Sequence, residues 1–570
     1  MEKLVEQKYQ KWLKADLPQD LRDELSKMNE EQINDAFYQD LEFGTAGIRG
    51  VLGPGSNRLN IFIIRKVTYG YAKFLLNTYK DARTRGVVIS HDNRLYSREF
   101  TLEAAKMLSS FGIKTYIFDA LRATPELSFA VRRQHACGGI MITASHNPKE
   151  YNGYKVYDEE GCQLVPEKIK PYIDIIATLP SEVDVKFENY EPKGEIITLS
   201  EEVDRDYIEH VKAILLNPEL DKKGFKIVFT PQHGASLEVA QKLFDELGYD
   251  VTYVKEQCVH DPLFGATKSP NPELKEAYEL PNEYAKKVNA DIIMMTDPDA
   301  DRCGIAVRDR NGQYIMMTGN ETGAILIDYV FKMRKEKGLL HKNGILLQSV
   351  VTSTFGEEVA RSYGIHVESV LTGFKYIGEK IHEYELNHKY EYEFGYEESY
   401  GYLLAPFARD KDSLQALTMI AEMANYYRLQ GKNLLEVYEE LEKKFGYHLD
   451  KLYSIYFEGQ NGKKKMDEIM AGLRKSPVKE LNGVKLVKME DYKSLKVLDR
   501  EGKEIGKIEL PTTDMIKLYF EDGTTIAIRP SGTEPKCKFY YGVKGTSKEE
   551  VNKKPDEFHK DILKYIDLTK

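Results

Sequence analysis

From residue 86 to about residue 450 the chain repeats one alternation three times: a short apolar run, a stretch with apolar residues at helical spacing, a glycine, and another apolar run. Gly86-Val87-Val88-Ile89-Ser90 predicts a buried strand, Leu102 to Phe111 a helix that Gly112 ends, and Thr115-Tyr116-Ile117-Phe118 a second strand. The order returns at Lys226-Ile227-Val228-Phe229-Thr230. A helix with Ala240, Leu243, Phe244 and Leu247 on one face then stops at Gly248, before Val251-Thr252-Tyr253-Val254. After Gly344 it brings Ile345-Leu346-Leu347, a helix closed by Tyr363-Gly364, and His366-Val367-Glu368-Ser369-Val370. The helix ends read Phe111-Gly112-Ile113, Leu247-Gly248-Tyr249 and Tyr363-Gly364-Ile365, each with glycine where a left-handed C-cap is wanted.

In each repeat a later strand runs into a polar loop. Ile140-Met141-Ile142 leads into Thr143-Ala144-Ser145-His146-Asn147-Pro148, and Ile292-Ile293-Met294-Met295 into Thr296-Asp297-Pro298-Asp299-Ala300-Asp301-Arg302. Tyr392-Glu393-Phe394 leads into Gly395-Tyr396-Glu397-Glu398-Ser399. Ligands of open α/β sheets sit beyond the carboxyl ends of the strands, so three such domains can direct three loops into one cleft. Past about residue 450 strands follow one another without long helices between them (Met515 to Phe520, Thr524 to Arg529, Lys536 to Tyr541). The expected architecture is three similar doubly wound α/β domains, residues 1–204, 205–320 and 321–450, and then a smaller α+β C-terminal domain, residues 451–570, around a central cleft.

Length agrees with this division, since 570 residues exceed the usual domain size several-fold. The balance of 81 Lys and Arg against 91 Asp and Glu gives a formal charge of −10, which offers no general attraction to nucleic acid or acidic lipid. Phosphate would need a local basic pocket. Met1 to Lys8 carries no apolar stretch of signal-peptide type, and no apolar run approaches membrane-spanning length, so a cytoplasmic location is expected. The five cysteines are widely spaced with no C-x-x-C pair, and read as reduced, mostly buried thiols.

The loops carry the chemistry. Ser145 is a hydroxyl nucleophile on a tight turn closed by Asn147-Pro148. No G-x-S-x-G elbow surrounds it, and His146 points away from Ser145 if the segment is extended, which disfavours acyl transfer. Taken alone, the segment also fits a polar strand-to-helix turn. Asp297, Asp299 and Asp301 alternate, so a tight loop can converge three hard oxygens on one magnesium-like or calcium-like cation. An EF-hand is excluded because its sixth and twelfth positions would be Arg302 and Arg308. The apolar strand before the loop and the arginine after it favour catalytic Mg²⁺ near phosphate over a solvated acidic turn. Glu397, Glu398 and Ser399 are acceptors suited to sugar hydroxyls, or else a solvated acidic turn. In Arg529-Pro530-Ser531-Gly532-Thr533-Glu534-Pro535-Lys536 a guanidinium, two hydroxyls and a glycine-permitted backbone can cradle phosphate. A plain Pro/Gly turn would explain neither Arg529 nor the hydroxyls.

Taken together, T-A-S-H-N-P, D-P-D-A-D-R, G-Y-E-E-S and R-P-S-G-T-E-P-K, in that order over roughly residues 40 to 560, resemble the α-D-phosphohexomutase superfamily. The resemblance implies that Ser145 is phosphorylated and that Asp297, Asp299 and Asp301 bind one Mg²⁺ together with an oxygen of that phosphate on Ser145, with Arg302 close by. It implies sugar contacts from Glu397 and Ser399, and a phosphate grip from Arg529, Ser531, Gly532 and Thr533. Further matches are Arg49 in Gly44-Thr45-Ala46-Gly47-Ile48-Arg49-Gly50, Lys155 in Asn152-Gly153-Tyr154-Lys155, Thr372, Gly373 and Lys375 in Thr372-Gly373-Phe374-Lys375, and Lys411 in Arg409-Asp410-Lys411-Asp412. Lys155 is the candidate acid/base.

The Glu-Glu-Ser order is similar to glucose-specific members, which would interconvert glucose 1-phosphate and glucose 6-phosphate through glucose 1,6-bisphosphate. Tyr396 departs from the Gly those members carry before the two glutamates. Mannose- or pentose-specific mutases share most of these residues. A phosphomonoester hydrolase and a sugar-phosphate-binding protein are rivals outside the mutase class. The implied partners are small sugar phosphates, with no nucleic acid or membrane, and the implied state is a monomer or weak dimer.

Overall fold

The computed structural model describes residues 3–44, 47–457, 462–530 and 536–566. They form two compact units. The first takes in residues 1–322, 333–345 and 373–433, and the second residues 323–332, 346–372 and 434–570.

In the first unit, β1 (Ile48–Val51), β2 (Val87–His91), β3 (Thr115–Phe118), β4 (Gly138–Ile142), β5 (Tyr151–Tyr157) and β6 (Ile196–Leu199) form one sheet in the order β1-β5-β4-β2-β3-β6. The β4-β2-β3-β6 run is parallel, whereas β5 is antiparallel to β4 and β1 to β5. Every residue of β2 and β4 is buried, which is why their apolar residues come consecutively (Val87-Val88-Ile89 and Ile140-Met141-Ile142) rather than alternating. A second sheet follows with β7 (Lys226–Thr230), β8 (Asp250–Tyr253), β9 (Ile292–Thr296), β10 (Cys303–Arg308) and β11 (Tyr314–Met317), ordered β11-β10-β9-β7-β8. Here too the parallel strands, β9-β7-β8, carry an antiparallel extension.

The sheets are therefore the expected doubly wound parallel cores with antiparallel strands added at one edge, and the reason for the addition is loop length. A parallel return needs a crossover of a dozen or more residues, while the stretches after β4 and β9 are too short for one and can only turn the chain back as hairpins. The same holds after β14 (Glu391–Glu397), which turns at Glu398–Tyr400 into antiparallel β15 (Gly401–Leu403). All three polar loops are thus tips of antiparallel hairpins, not strand-to-helix turns.

The glycine stops act as predicted. Gly112, Gly248 and Gly364 have φ of 76°, 74° and 81°. Beyond each, the amides of Ile113, Tyr249 and Ile365 reach back to Leu108 O, Phe244 O and Ala360 O, while the glycine amides bond Ser109 O, Asp245 O and Arg361 O. This is the Schellman closure three times over. Ahead of the first sheet, helices Lys3–Lys14, Gln19–Lys27 and Glu30–Phe37 build a small core of their own. Buried Trp12 meets Phe37 and Phe62 edge-on there, and its indole N–H donates to Glu182 Oε1 at 2.7 Å.

In the second unit β12 (Gly344–Ser349), most of which belongs to it, lies beside β13 (His366–Val370). Its larger sheet contains β16 (Tyr447–Tyr456), β17 (Glu480–Leu481), β18 (Val484–Asp491), β19 (Lys496–Asp499), β20 (Glu504–Lys507), β21 (Ile516–Phe520), β22 (Thr525–Pro530) and β23 (Lys536–Gly545). Its pairs are antiparallel, and β23 alternates buried and half-buried residues because one face packs on the core beneath helices Gly462–Lys475 and Lys548–Tyr565.

Candidate active site

Ser145 sits at the tip of the β4–β5 hairpin, 1% exposed, with φ of +52° in the left-handed region that non-glycine residues avoid. Its amide donates to Thr143 Oγ1 at 2.8 Å. Its hydroxyl donates to Asp297 Oδ2 at 2.6 Å, although 152 residues separate the two. The positive φ also overturns the expectation for His146. The backbone curls instead of extending, so His146 Nδ1 lies 3.1 Å from Ser145 Oγ. Withdrawal from water, then the nearby charges of Arg302 and Arg49, hold that imidazole well below its ordinary pKa, so the ring is neutral at physiological pH. From β1, Arg49 reaches the same loop and donates to Asn147 Oδ1 at 3.0 Å.

The β9–β10 tip supplies the carboxylates. Asp297, Asp299 and Asp301 are all buried, and each offers an oxygen within 4.8 Å of the others. Gly234 makes room for this tip: a Cβ there would lie 2.4 Å from the Pro298 backbone, and the next amide, Ala235, donates to Pro298 O at 2.8 Å. Lys155, projecting from β5, places Nζ 2.9 Å from Asp299 Oδ2 and 3.6 Å from Asp301 Oδ2. Lys411 Nζ lies 3.1 Å from Asp301 Oδ2. Thr124 also donates to Asp299 Oδ2, at 2.8 Å. Arg302 turns to Glu273, 2.6 Å away, while its amide donates to Asp297 Oδ1 at 3.0 Å.

These contacts divide the three acids. Burial and the charges of Asp299 and Asp301 push Asp297 well above the ordinary carboxylate range. Burial pushes Asp299 the same way, but the Lys155 ammonium together with hydrogen bonds from Lys155, Asp297 and Thr124 outweighs it and holds the group low. For Asp301, burial and the Asp299 charge are outweighed by Lys411, Lys155 and Arg302. Asp299 Oδ1 and Asp301 Oδ1 remain buried acceptors without a hydrogen-bond partner. Buried carboxylate oxygens without donors are costly, and a hard cation with oxygen ligands would satisfy both. The donor set fits a metal ion.

The sugar-loop residues lie in the same unit. Buried Glu397 accepts from the Gly373 amide at 2.7 Å, Lys375 is buried, and Ser399 is half-buried on the β14–β15 turn. Tyr396 is fully buried and stacks on Tyr402 across the hairpin, 6.3 Å between centroids, on the face opposite Glu397. Its ring therefore replaces a glycine inside the sheet without crowding the loop. Thr372 and Arg529 belong to the second unit, Arg529 half-buried near the end of β22. Ser531, Gly532 and Thr533 lie outside the described residues. Sequence reasoning missed Thr124, Glu273, Asp92 and Arg94. None stands in a distinctive motif, although His91-Asp92-Asn93-Arg94 follows a buried strand much as the other polar loops do.

Four family descriptions match the chain in order. Phosphoglucomutase/phosphomannomutase alpha/beta/alpha domains I, II and III match residues 40–181, 205–312 and 318–445, and the C-terminal domain matches residues 470–560. The chain belongs to the phosphoglucomutase/phosphomannomutase family. The family resemblance read from the motifs thus extends along nearly the whole chain. Similar proteins include a phosphoglucomutase of Staphylococcus epidermidis, 38% identical over 91% of this chain and 94% of its own, and one of Staphylococcus aureus, 36% identical over 91% and 92%. Among solved structures, the open form of parafusin, a phosphoglucomutase from Paramecium, shares the fold with a TM-score of 0.68 and 19% identity, over 93% of this chain and 95% of that one.

Proposed function

We propose that this family member is a phosphoglucomutase that interconverts glucose 1-phosphate and glucose 6-phosphate through phospho-Ser145 and glucose 1,6-bisphosphate. The observation that carries the reading is the 2.6 Å contact between Ser145 and Asp297, which joins a hydroxyl nucleophile to a buried three-carboxylate cluster holding Lys155. The names of the 36–38% identical relatives support the glucose assignment.

In the proposed cycle the 6-hydroxyl of glucose 1-phosphate attacks the phosphorus on Ser145. An O6–P bond forms as the Oγ–P bond breaks. The bisphosphate turns around, and Ser145 Oγ takes the phosphoryl group from O1, releasing glucose 6-phosphate. Lys155 is assigned the proton transfers. In the second half the serine hydroxyl needs an acceptor for its proton, and neutral His146 Nδ1 lies within reach. Asp297, Asp299 and Asp301, with Ser145, are the residues that would hold Mg²⁺. When bound, that ion would offset charge on the transferring phosphoryl oxygens. Glu397, Ser399, Thr372, Gly373, Lys375 and Lys411 are assigned to the sugar phosphate, and Arg529, Ser531, Gly532 and Thr533 to the phosphate not reacting. Among the described residues no helix is long and apolar enough to cross a membrane, and the reading places the enzyme in the cytoplasm.

The test is turnover of glucose, mannose, glucosamine and ribose 1-phosphates with magnesium, together with intact mass. Wild type should gain about 80 Da, one phosphate on serine, and Ser145→Ala should neither gain it nor turn over. Preference for a sugar other than glucose would reassign the substrate. Full turnover by Ser145→Ala would end the phosphoserine reading, and release of inorganic phosphate in place of glucose 6-phosphate would make the protein a hydrolase.

A further inference from the structure

The loop that presents Ser145 is built around one buried guanidinium on a different strand's loop. Arg94, 3% exposed, donates from Nη2 to Ser145 O at 2.6 Å and to Asn147 O at 2.5 Å. From Nη1 it donates to Pro148 O at 2.8 Å and Tyr151 O at 2.9 Å. Its Nε faces Asp92 Oδ2 at 3.2 Å, both side chains fully withdrawn from water, and the Phe264 ring lies 5.2 Å below the guanidinium carbon. Asp92 closes a second route into the loop: it accepts from Thr143 Oγ1 at 2.6 Å, and Thr143 Oγ1 accepts the Ser145 amide.

We infer that Arg94 is a positioning residue that fixes the Ser145 loop in its phosphoryl-carrying conformation. The inference rests on reading Ser145 as the phosphoryl carrier. Four carbonyls spread over residues 145 to 151 converge on one planar fork, which only arginine can offer, since a lysine ammonium is a point donor with three N–H bonds. One of those carbonyls is that of Ser145 itself and the others follow it; Ser145 is held at φ +52°, a conformation that persists only where surrounding contacts over-determine it. The guanidinium makes no hydrogen bond or ion pair with Asp297, Asp299 or Asp301 among the described residues; it feels the charges of Asp299 and Asp297 through space, while every hydrogen bond it donates goes to the backbone of the serine loop.

The test uses the full chain with magnesium, comparing wild type with Arg94→Lys and Arg94→Ala. Phosphoryl transfer from glucose 1,6-bisphosphate to Ser145 is followed by intact mass in a single turnover, and kcat and KM for glucose 1-phosphate in steady state. Arg94→Lys should lower both the transfer rate and kcat by roughly 100-fold, the effect of a misplaced reacting group, with KM within about threefold. Added methylguanidinium should restore part of the rate to Arg94→Ala and none to Arg94→Lys. Rates within threefold of wild type in Arg94→Lys, or kcat and KM failing together, would overturn the inference. Should Arg94→Lys not fold, Asp92→Asn keeps the guanidinium but loosens both routes into the loop and should show the same kcat-only loss. Misfolding of both would assign Arg94 a purely structural role. A wild type that takes no phosphoryl group at Ser145 would instead sink the functional reading on which the inference rests.

Discussion

Replacing Lys155 with methionine keeps most of the buried aliphatic stem and deletes the ammonium that stands 2.9 Å from Asp299 and 3.6 Å from Asp301. Removing one partner of a buried ion pair costs about 3–5 kcal/mol, because the remaining charge is left uncompensated in a poor solvent. Here Asp299 is left without its cation, while Lys411 still stands 3.1 Å from Asp301. At about 2 °C per kcal/mol for a large cooperative unit, the variant should melt roughly 6–10 °C below wild type in chelator. A bound divalent cation restores the missing positive charge, so with magnesium the deficit should shrink to about the 1 kcal/mol of lost hydrogen bonding. Turnover should fall by roughly 10²–10⁴, the range for losing a general acid/base. The assays are thermal melts with and without chelator and release of glucose 6-phosphate from glucose 1-phosphate. A destabilisation that magnesium leaves unchanged would refute the electrostatic account of the cluster. A kcat within threefold of wild type would refute the catalytic assignment.

Asp412 has its pKa raised by burial from 3.8 to about 6, so the folded state holds the proton more tightly than the unfolded chain and stability is lost as pH rises through that window. Urea melts of Asp412→Asn should therefore change relative to wild type by about 3 kcal/mol in the variant's favour between pH 3.5 and pH 7, and a pH-independent difference would show that Asp412 titrates normally. Gly234→Ala drives a Cβ into the Pro298 backbone, which cannot yield as a side chain would; magnesium affinity, read by titration calorimetry, should drop about tenfold or more while the fold survives, and unchanged affinity would show that the Asp loop tolerates the shift. Arg529→Ala should raise KM for glucose 1-phosphate, with Arg529→Lys recovering only part because it lacks the planar fork; an unchanged KM in the Ala variant would reduce the loop to a turn between strands.

What the sequence determined by itself is local in origin. Gly112, Gly248 and Gly364 announce their helix ends because a left-handed C-cap is a one-residue requirement, and β2, β4 and β9 announce themselves because strands buried on both faces carry consecutive rather than alternating apolar residues. The motifs holding Ser145 and the three aspartates are equally legible, since each packs its chemistry into a few consecutive positions. Only the tertiary structure decided that the loops end antiparallel hairpins, that Ser145 adopts a positive φ and so brings His146 beside its hydroxyl, and that Tyr396 points into the sheet. It alone decided who serves the site from afar. Asp297 reaches Ser145 across 152 residues, Thr124 reaches Asp299 across 175, and Arg94 reaches the serine loop across 51. No short-range pattern encodes such pairings. Their partners are chosen by which strands share a sheet and by the need of each buried charge and carbonyl to find one.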